Sequence, residues 1–149
     1  MRVETLHEGA VARNATGRLV IPTRGPGFTE ITDLVAPWVT ELRMRDGLLV
    51  AFCRHTSASL TIQENGDPDV RRDLLAALDR LAPRDAPYVH DMEGPDDMPA
   101  HIRTMITDSG LAIPLVAGRL GLGTWQGIYL VEHRDGPHRR EVLLHVTGT

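Results

Sequence analysis

The chain predicts an α+β fold: one domain in which a largely antiparallel sheet sandwich carries packed helices. Three observations lead there. Apolar runs of strand length alternate with helical repeats in no regular β-α-β rhythm. The last two strand candidates are joined by a tight Asp135-Gly136 turn, as antiparallel neighbours are. A length of 149 residues suffices for one core, and no repeat, low-complexity tract or linker divides it.

The elements follow in order. Arg2 to Ala12 reads as a possible strand of poor alternation, Thr16-Gly17 as a turn, and Leu19 to Ile21 as a short strand ending at Pro22. Gly and Pro mark a turn at Arg24 to Gly27, and a short strand follows at Phe28 to Ile31. Thr32 then caps a helix with apolar positions Val35, Trp38, Val39 and Leu42; Pro37 makes it kinked or late-starting. Leu48 to Cys53 is apolar on both faces, the pattern of a central strand covered on each side. Ser59 to Glu64 is the next strand. Asp67-Pro68 opens a helix carried by Val70, Leu74, Leu78 and Leu81, and Pro83 stops it. After a loop from Arg84 to Pro95, a third helix is capped by Asp96 or Asp97. Strands are predicted at Leu111 to Val116, interrupted by Pro114, at Thr124 to His133 and at Glu141 to Thr147.

Composition removes whole reaction classes. All sixteen basic residues are Arg, so Schiff-base chemistry, a P-loop lysine and a lysine general base are excluded. Cys53 is the single cysteine, which excludes an internal disulfide and any multi-cysteine metal site. It is expected to pack in the core. The N-terminus lacks a signal-like apolar run and no stretch approaches a membrane span, so the expected location is cytoplasmic. A net charge of −4 and an aromatic content of 4% argue against a nucleic-acid partner. Seven histidines direct the search for chemistry.

His101 projects beside the stripe of Met98, Ile102, Met105 and Ile106, with Asp97 one turn upstream. A half-buried imidazole oriented by a carboxylate serves as a general base, as a metal ligand, or as a satisfied core histidine. The preceding loop, His90 to Asp97, packs one imidazole and four carboxylates into eight positions. Such a segment is either a solvated loop or a cation site; oxygen ligands suit Mg²⁺ or Mn²⁺ and added imidazoles suit Zn²⁺. His55-Thr56-Ser57-Ala58-Ser59 closes a buried strand with polar groups that either cradle a phosphate, with Arg54 assisting, or cap the next strand. No Gly-x-Ser-x-Gly elbow is present. The glycine-dense Gly118 to Gly127 has the wrong spacing for a dinucleotide loop and lets backbone approach a ligand or a neighbouring subunit. Glu132, on a face with Gln126, Ile128 and Leu130, needs an Arg or a metal as partner.

Five ordered blocks carry a family resemblance. They are His55-Thr56-Ser57-Ala58-Ser59-Leu60-Thr61, then Glu64-Asn65 with Asp67-Pro68, then Tyr88-Val89-His90-Asp91. Asp96-Asp97-Met98-Pro99-Ala100-His101-Ile102 and Gly123-Thr124-Trp125-Gln126-Gly127-Ile128 with Glu132 complete the set. From Leu48 onward the chain resembles the YjbQ family, described as secondary thiamine-phosphate synthase enzymes. The resemblance implies an α+β sandwich assembled as a homotrimer, with sites near subunit boundaries. It also implies a weak joining of an aminopyrimidine diphosphate to a thiazole phosphate, giving thiamine phosphate and pyrophosphate. On this chain it assigns His55, His90 and His101 as metal ligands for Zn²⁺ or Mg²⁺. His101, Asp97 and Glu132 become the catalytic set, and Arg54, Thr56, Ser57, Arg119 and Gln126 the contacts to a small phosphorylated substrate. Arg54, Arg103 and Arg119 are candidates to stabilise the departing pyrophosphate. Two alternatives stand beside this reading: a trimeric metal- or ligand-binding protein without catalysis, and a metal-dependent phosphoester hydrolase.

Overall fold

The computed structural model describes residues 3–149. The strands are β1 (Arg13–Thr23), β2 (Gly27–Glu30), β3 (Gly47–Cys53), β4 (Ala58–Glu64), β5 (Gly110–Val116), β6 (Arg119–Leu120), β7 (Gln126–Glu132) and β8 (His138–Gly148). The helices are α1 (Thr32–Glu41), α2 (Pro68–Leu81) and α3 (Asp97–Ile106). A five-stranded sheet runs in the order β1-β8-β3-β5-β6 and a three-stranded sheet in the order β2-β7-β4. Every named pairing is antiparallel. This is the expected α+β architecture.

One hydrophobic cluster lies between the sheets. Leu49, Ala51, Ile113, Val142, Leu144 and Val146 come from the larger sheet, Leu60, Ile128 and Leu130 from the smaller, and Val35 and Val39 from α1. The alternation of buried and open positions along β8 is the period-two signature of one face turned inward. In contrast, β7 is buried at every position after Gln126. On the second face of the smaller sheet α2 packs by β2 and α3 by β4, with Leu74, Leu78 and Ile106 lining a cavity of about 360 Å³ against Phe28, Thr61 and Val131. Arg103 of α3 ties the two helices by donating to Asp79 Oδ1 (2.8 Å) and to the Ala82 carbonyl (3.2 Å) at the end of α2.

Several expectations change in detail. Asp67 caps α2 as expected, its side chain accepting from the Asp69 N–H at 2.8 Å. Thr32 does not cap α1. Ile31 occupies that place, and the Thr32 hydroxyl instead accepts the Ile128 N–H (2.9 Å) and donates to Glu30 Oε1 (3.0 Å), binding the helix to β7. Neither Asp96 nor Asp97 makes a capping bond on α3, because both side chains are drawn to Arg134. Among the described residues no strand precedes Arg13, and Arg2 lies outside them. The expected turn at Thr16-Gly17 is mid-strand in β1. Gly17 is there for close approach: a Cβ would sit 2.9 Å from Trp38 Cζ2.

The apolar run of β3 is covered on one face only within this chain. Leu48, Val50 and Phe52 remain 39%, 38% and 48% exposed on the outer face of the larger sheet. No helix among the described residues is long and apolar enough to cross a membrane.

Gly47 lies where β3 meets both β8 and β5. A Cβ there would fall 2.0 Å from the Thr147 carbonyl oxygen, a backbone atom that no side-chain rotation relieves. Gly47→Ala is therefore expected to destabilise the chain by about 2–3 kcal/mol, lowering Tm by about 5–10 °C in thermal melts.

Candidate metal centre

The N-terminal turn of α3 supplies the first two groups. Asp97 and His101 are one turn apart, so they share a helix face. His90 is brought over them by the loop after α2, which is pinned where the Arg84 guanidinium grips both oxygens of Asp135 (2.6 and 2.7 Å). Asp97 Oδ2 then lies 2.8 Å from His90 Nε2 and 3.2 Å from His101 Nε2. The two imidazoles are tilted at 52° with centroids 5.6 Å apart. The three donor atoms all fall within 4.8 Å of one another.

Protonation decides what this cluster can hold. His101 Nδ1 is 3.0 Å from the Thr56 carbonyl, which only accepts, so Nδ1 carries the hydrogen. In the neutral ring Nε2 is then a bare lone pair facing a carboxylate oxygen. Two acceptors facing each other at 3.2 Å repel unless a proton or a metal cation lies against both. A histidine whose Nδ1–H is held by a backbone carbonyl while Nε2 points to a carboxylate is arranged as metal-ligating histidines are.

Arg134 organises the carboxylates. It donates through Nη1 to Asp97 Oδ1, through Nε to Asp96 Oδ2 (2.8 Å) and through Nη2 to the Glu93 carbonyl (3.0 Å). Asp97 is thus nearly sealed from solvent, with Oδ2 alone left for the imidazoles. Burial pushes the Asp96 carboxyl up, but Arg134 and the Asp135 N–H outweigh it and hold the group below its ordinary value.

Arg134 is itself held by Glu132. Glu132 Oε1 accepts the N–H groups of His133 (3.0 Å) and Arg134 (2.9 Å), together with Arg140 Nη2 (2.6 Å). Oε2 accepts Arg140 Nε (2.7 Å) and the Thr23 hydroxyl (2.7 Å). Burial raises the Glu132 carboxyl, and these donors more than reverse that shift. With both oxygens engaged, Glu132 is an anchor. Arg is its partner, one of the two options open from sequence.

The other sequence-derived residues fall in different places. His55 is not brought to the cluster. Its Nε2 accepts the Glu141 N–H at 2.8 Å, and burial, aided by Arg140, pushes its pKa down. Thr56 contributes its carbonyl, while the Ser57 carbonyl accepts Arg140 Nη2 at 3.4 Å. Arg54 pairs with Glu141 at 3.2 Å. Arg119 is on β6 at the far edge of the larger sheet, and Gln126 opens β7, about 20 Å of strand from Glu132. Cys53 packs in the core with its thiol pushed up by burial. Sequence reasoning missed Arg134, the non-capping role of Asp96, and the buried His133, whose Nε2 lies 2.8 Å from Ser59 Oγ. An arginine two residues after the acidic end of a strand was the available signal for Arg134. Beside His90 opens a cavity of about 340 Å³, lined by Arg84, Tyr88, Asp91 and Met98 among others.

The model of the family described as UPF0047 protein YjbQ-like matches residues 18–149. The chain belongs to that family. It is 51% identical to the UPF0047 protein sll1880 of Synechocystis over 131 residues, covering 87% of this chain and 89% of that one. With UPF0047 protein YjbQ of Escherichia coli O157:H7 it shares 40% identity over 131 residues, 87% of this chain and 95% of the relative. The crystal structure of a YjbQ/UPF0047 protein from Clostridium acetobutylicum superposes with a TM-score of 0.80 at 42% identity, covering 87% and 98% of the two chains. A YjbQ-like protein of unknown function from Sulfolobus solfataricus, 21% identical over 92% of this chain and all of its own, shares the fold with a TM-score of 0.82.

One consequence concerns pH. Burial, with Arg103 adding to it, lowers the His133 pKa to about 4. The unfolded imidazole takes its proton near pH 6.5, so falling pH favours unfolding from there down to about 4. Above pH 6.5 both states are neutral and the effect vanishes. Stability is expected to drop by up to roughly 3 kcal/mol across that window. Urea unfolding of the parent and of His133→Asn should show a flatter profile in the variant.

Proposed function

We propose that His90, Asp97 and His101 hold one divalent metal ion and that the centre assists chemistry on a small phosphorylated molecule. The observation that carries this reading is the facing pair of acceptors, His101 Nε2 and Asp97 Oδ2, with the Nδ1 hydrogen fixed by Thr56. Two imidazoles and one carboxylate form a donor set suited to Zn²⁺ more than to Mg²⁺. An ion bound there would supply positive charge for a departing phosphate or pyrophosphate. Arg134 keeps Asp97 monodentate and fixed. The cavity beside His90 gives a small ligand room against the same groups.

The activity that the family resemblance implies, thiamine-phosphate formation, is compatible with this chemistry. A ring nitrogen that displaces pyrophosphate has no proton to lose, so it needs no general base. That matters here, since Asp97 and Glu132 are both engaged by arginines. Hydrolysis of a phosphoester would need an activated water, and the same observation disfavours it. It equally supports a metal-binding protein without catalysis.

Purified protein is expected to take up one Zn²⁺ per chain, lost in His90→Ala and His101→Ala by metal analysis. Incubated with the aminopyrimidine diphosphate and thiazole phosphate, the parent should form thiamine phosphate at least about 100-fold faster than His101→Ala. Equal rates would remove the catalytic assignment. Metal uptake without product would leave the binding protein, and turnover of chromogenic phosphate esters would favour the hydrolase.

The outer face of the larger sheet supports assembly into the homotrimer that the resemblance implies. Leu48, Val50 and Phe52 form an open apolar stripe of the kind that subunit contact buries, flanked in register by Ala112 and Pro114 of β5 and by Thr147, His145 and Leu143 of β8. Light scattering is expected to give three times the 16.4 kDa chain mass. Val50→Arg should lower it to one chain with an unchanged far-UV spectrum.

A further inference from the structure

Two sequence blocks stand apart from the metal centre, the one at Glu64 to Pro68 and the one at Gly123 to Gly127. The fold joins them at the opposite end of β7, where they wall a cleft of about 710 Å³. That volume lies within the range of about 300–1,000 Å³ usual for small-molecule sites.

One wall is the Trp125 indole, 65% exposed. Its backbone is held: the Trp125 carbonyl accepts the Asn65 N–H (3.1 Å), and Gln126 and Gly123 close a turn through two reciprocal bonds (3.0 and 2.8 Å). The ring rests against Gly66, where a Cβ would come within 3.0 Å of Cε3 and Cζ3. Glycine at 66 is what lets the indole pack this closely on the chain while the residue stays largely exposed at the cleft.

The second wall is anionic. Glu64 and Asp67 both line the cleft, and among the described residues no basic side chain does. Each carboxylate uses one oxygen on the start of α2: Glu64 Oε1 accepts the Asp67 N–H (3.3 Å) and Asp67 Oδ1 the Asp69 N–H (2.8 Å). Two of the first N–H groups of the helix, which would otherwise attract an anion, are thereby met from within, and Pro68 has none to offer. Glu64 Oε2 and Asp67 Oδ2 take no protein donor among the described residues. The nearby Arg71 is engaged with Tyr129 Oη and the Glu64 carbonyl, and Arg72 pairs with Asp69.

An open π-face beside unpaired carboxylates selects for positive charge on a flat or methylated group. We infer that this cleft is a second binding site, for a small organic cation, either an ammonium or a positively charged nitrogen heterocycle, stacked on Trp125 and paired with Glu64 and Asp67. The site is independent of the metal centre at the other end of the strand.

The two indole N–H signals of the ¹⁵N-labelled protein, from Trp38 and Trp125, provide the readout, with Trp125→Phe assigning them. The probes are benzylammonium, benzyl alcohol and benzoate at equal ionic strength. Benzylammonium is expected to shift the Trp125 signal with a Kd about tenfold or more below that of the alcohol, and benzoate to leave it unmoved. Glu64→Gln combined with Asp67→Asn, which keeps an oxygen for the helix cap, should erase that advantage while the alcohol's own affinity holds. Equal affinity of cation and alcohol, no movement of the Trp125 signal, or a cation preference that survives the double variant would each overturn the assignment.

Discussion

The buried ion pair between Glu132 and Arg140 is the contact on which the rest depends. It spans the two sheets where their apolar core ends, joining β7 to β8 and, through the Thr23 hydroxyl, to β1. Charges this deep are tolerable only when every lone pair is met, and breaking one member of such a pair costs about 3–5 kcal/mol. Here five donors meet one carboxylate. Two of them are the backbone N–H groups of His133 and Arg134, so the pair also dictates how the chain leaves β7. That exit direction places the Arg134 guanidinium over the start of α3.

From there the order passes outward in steps. Arg134 fixes Asp97, Asp97 sets the distance between the two imidazoles, and the Thr56 carbonyl fixes the hydrogen on His101. The Arg134–Asp97 and Thr56–His101 hydrogen bonds join groups far apart in sequence, and each removes freedom from the donor atoms. A site preorganised in this way loses little entropy when it captures a ligand.

The parts legible in the sequence are those that depend on local spacing. The Asp67-Pro68 helix start and the sharing of a face by Asp97 and His101 are set by neighbours a few residues away, whereas the strands joined through Asp135-Gly136 are not the antiparallel neighbours the turn predicts: β7 lies in the smaller sheet and β8 in the larger. His90 followed from the density of ligand types around it. What was not legible depends on long-range pairing. His55 stands just past the end of a strand, where ligands are commonly placed, yet Glu141 of β8 is what meets it. Asp96 has the identity and place of a helix cap, and Arg134, 38 residues on, takes it away. Thr16-Gly17 reads as a turn because glycine has two uses, and only the Trp38 ring packed against it shows which applies. The β3 run looked like a strand covered on both sides, since sequence records that a face is apolar but not whether the same chain covers it.

Cys53 closes β3 between the sheets, its sulfur directed at the Ala58 carbonyl at 3.4 Å. Being the sole thiol of the chain, it makes chemical modification a clock for conformational opening. An alkylating reagent reaches that sulfur only when the sandwich parts, so labelling speed measures how often the two layers separate.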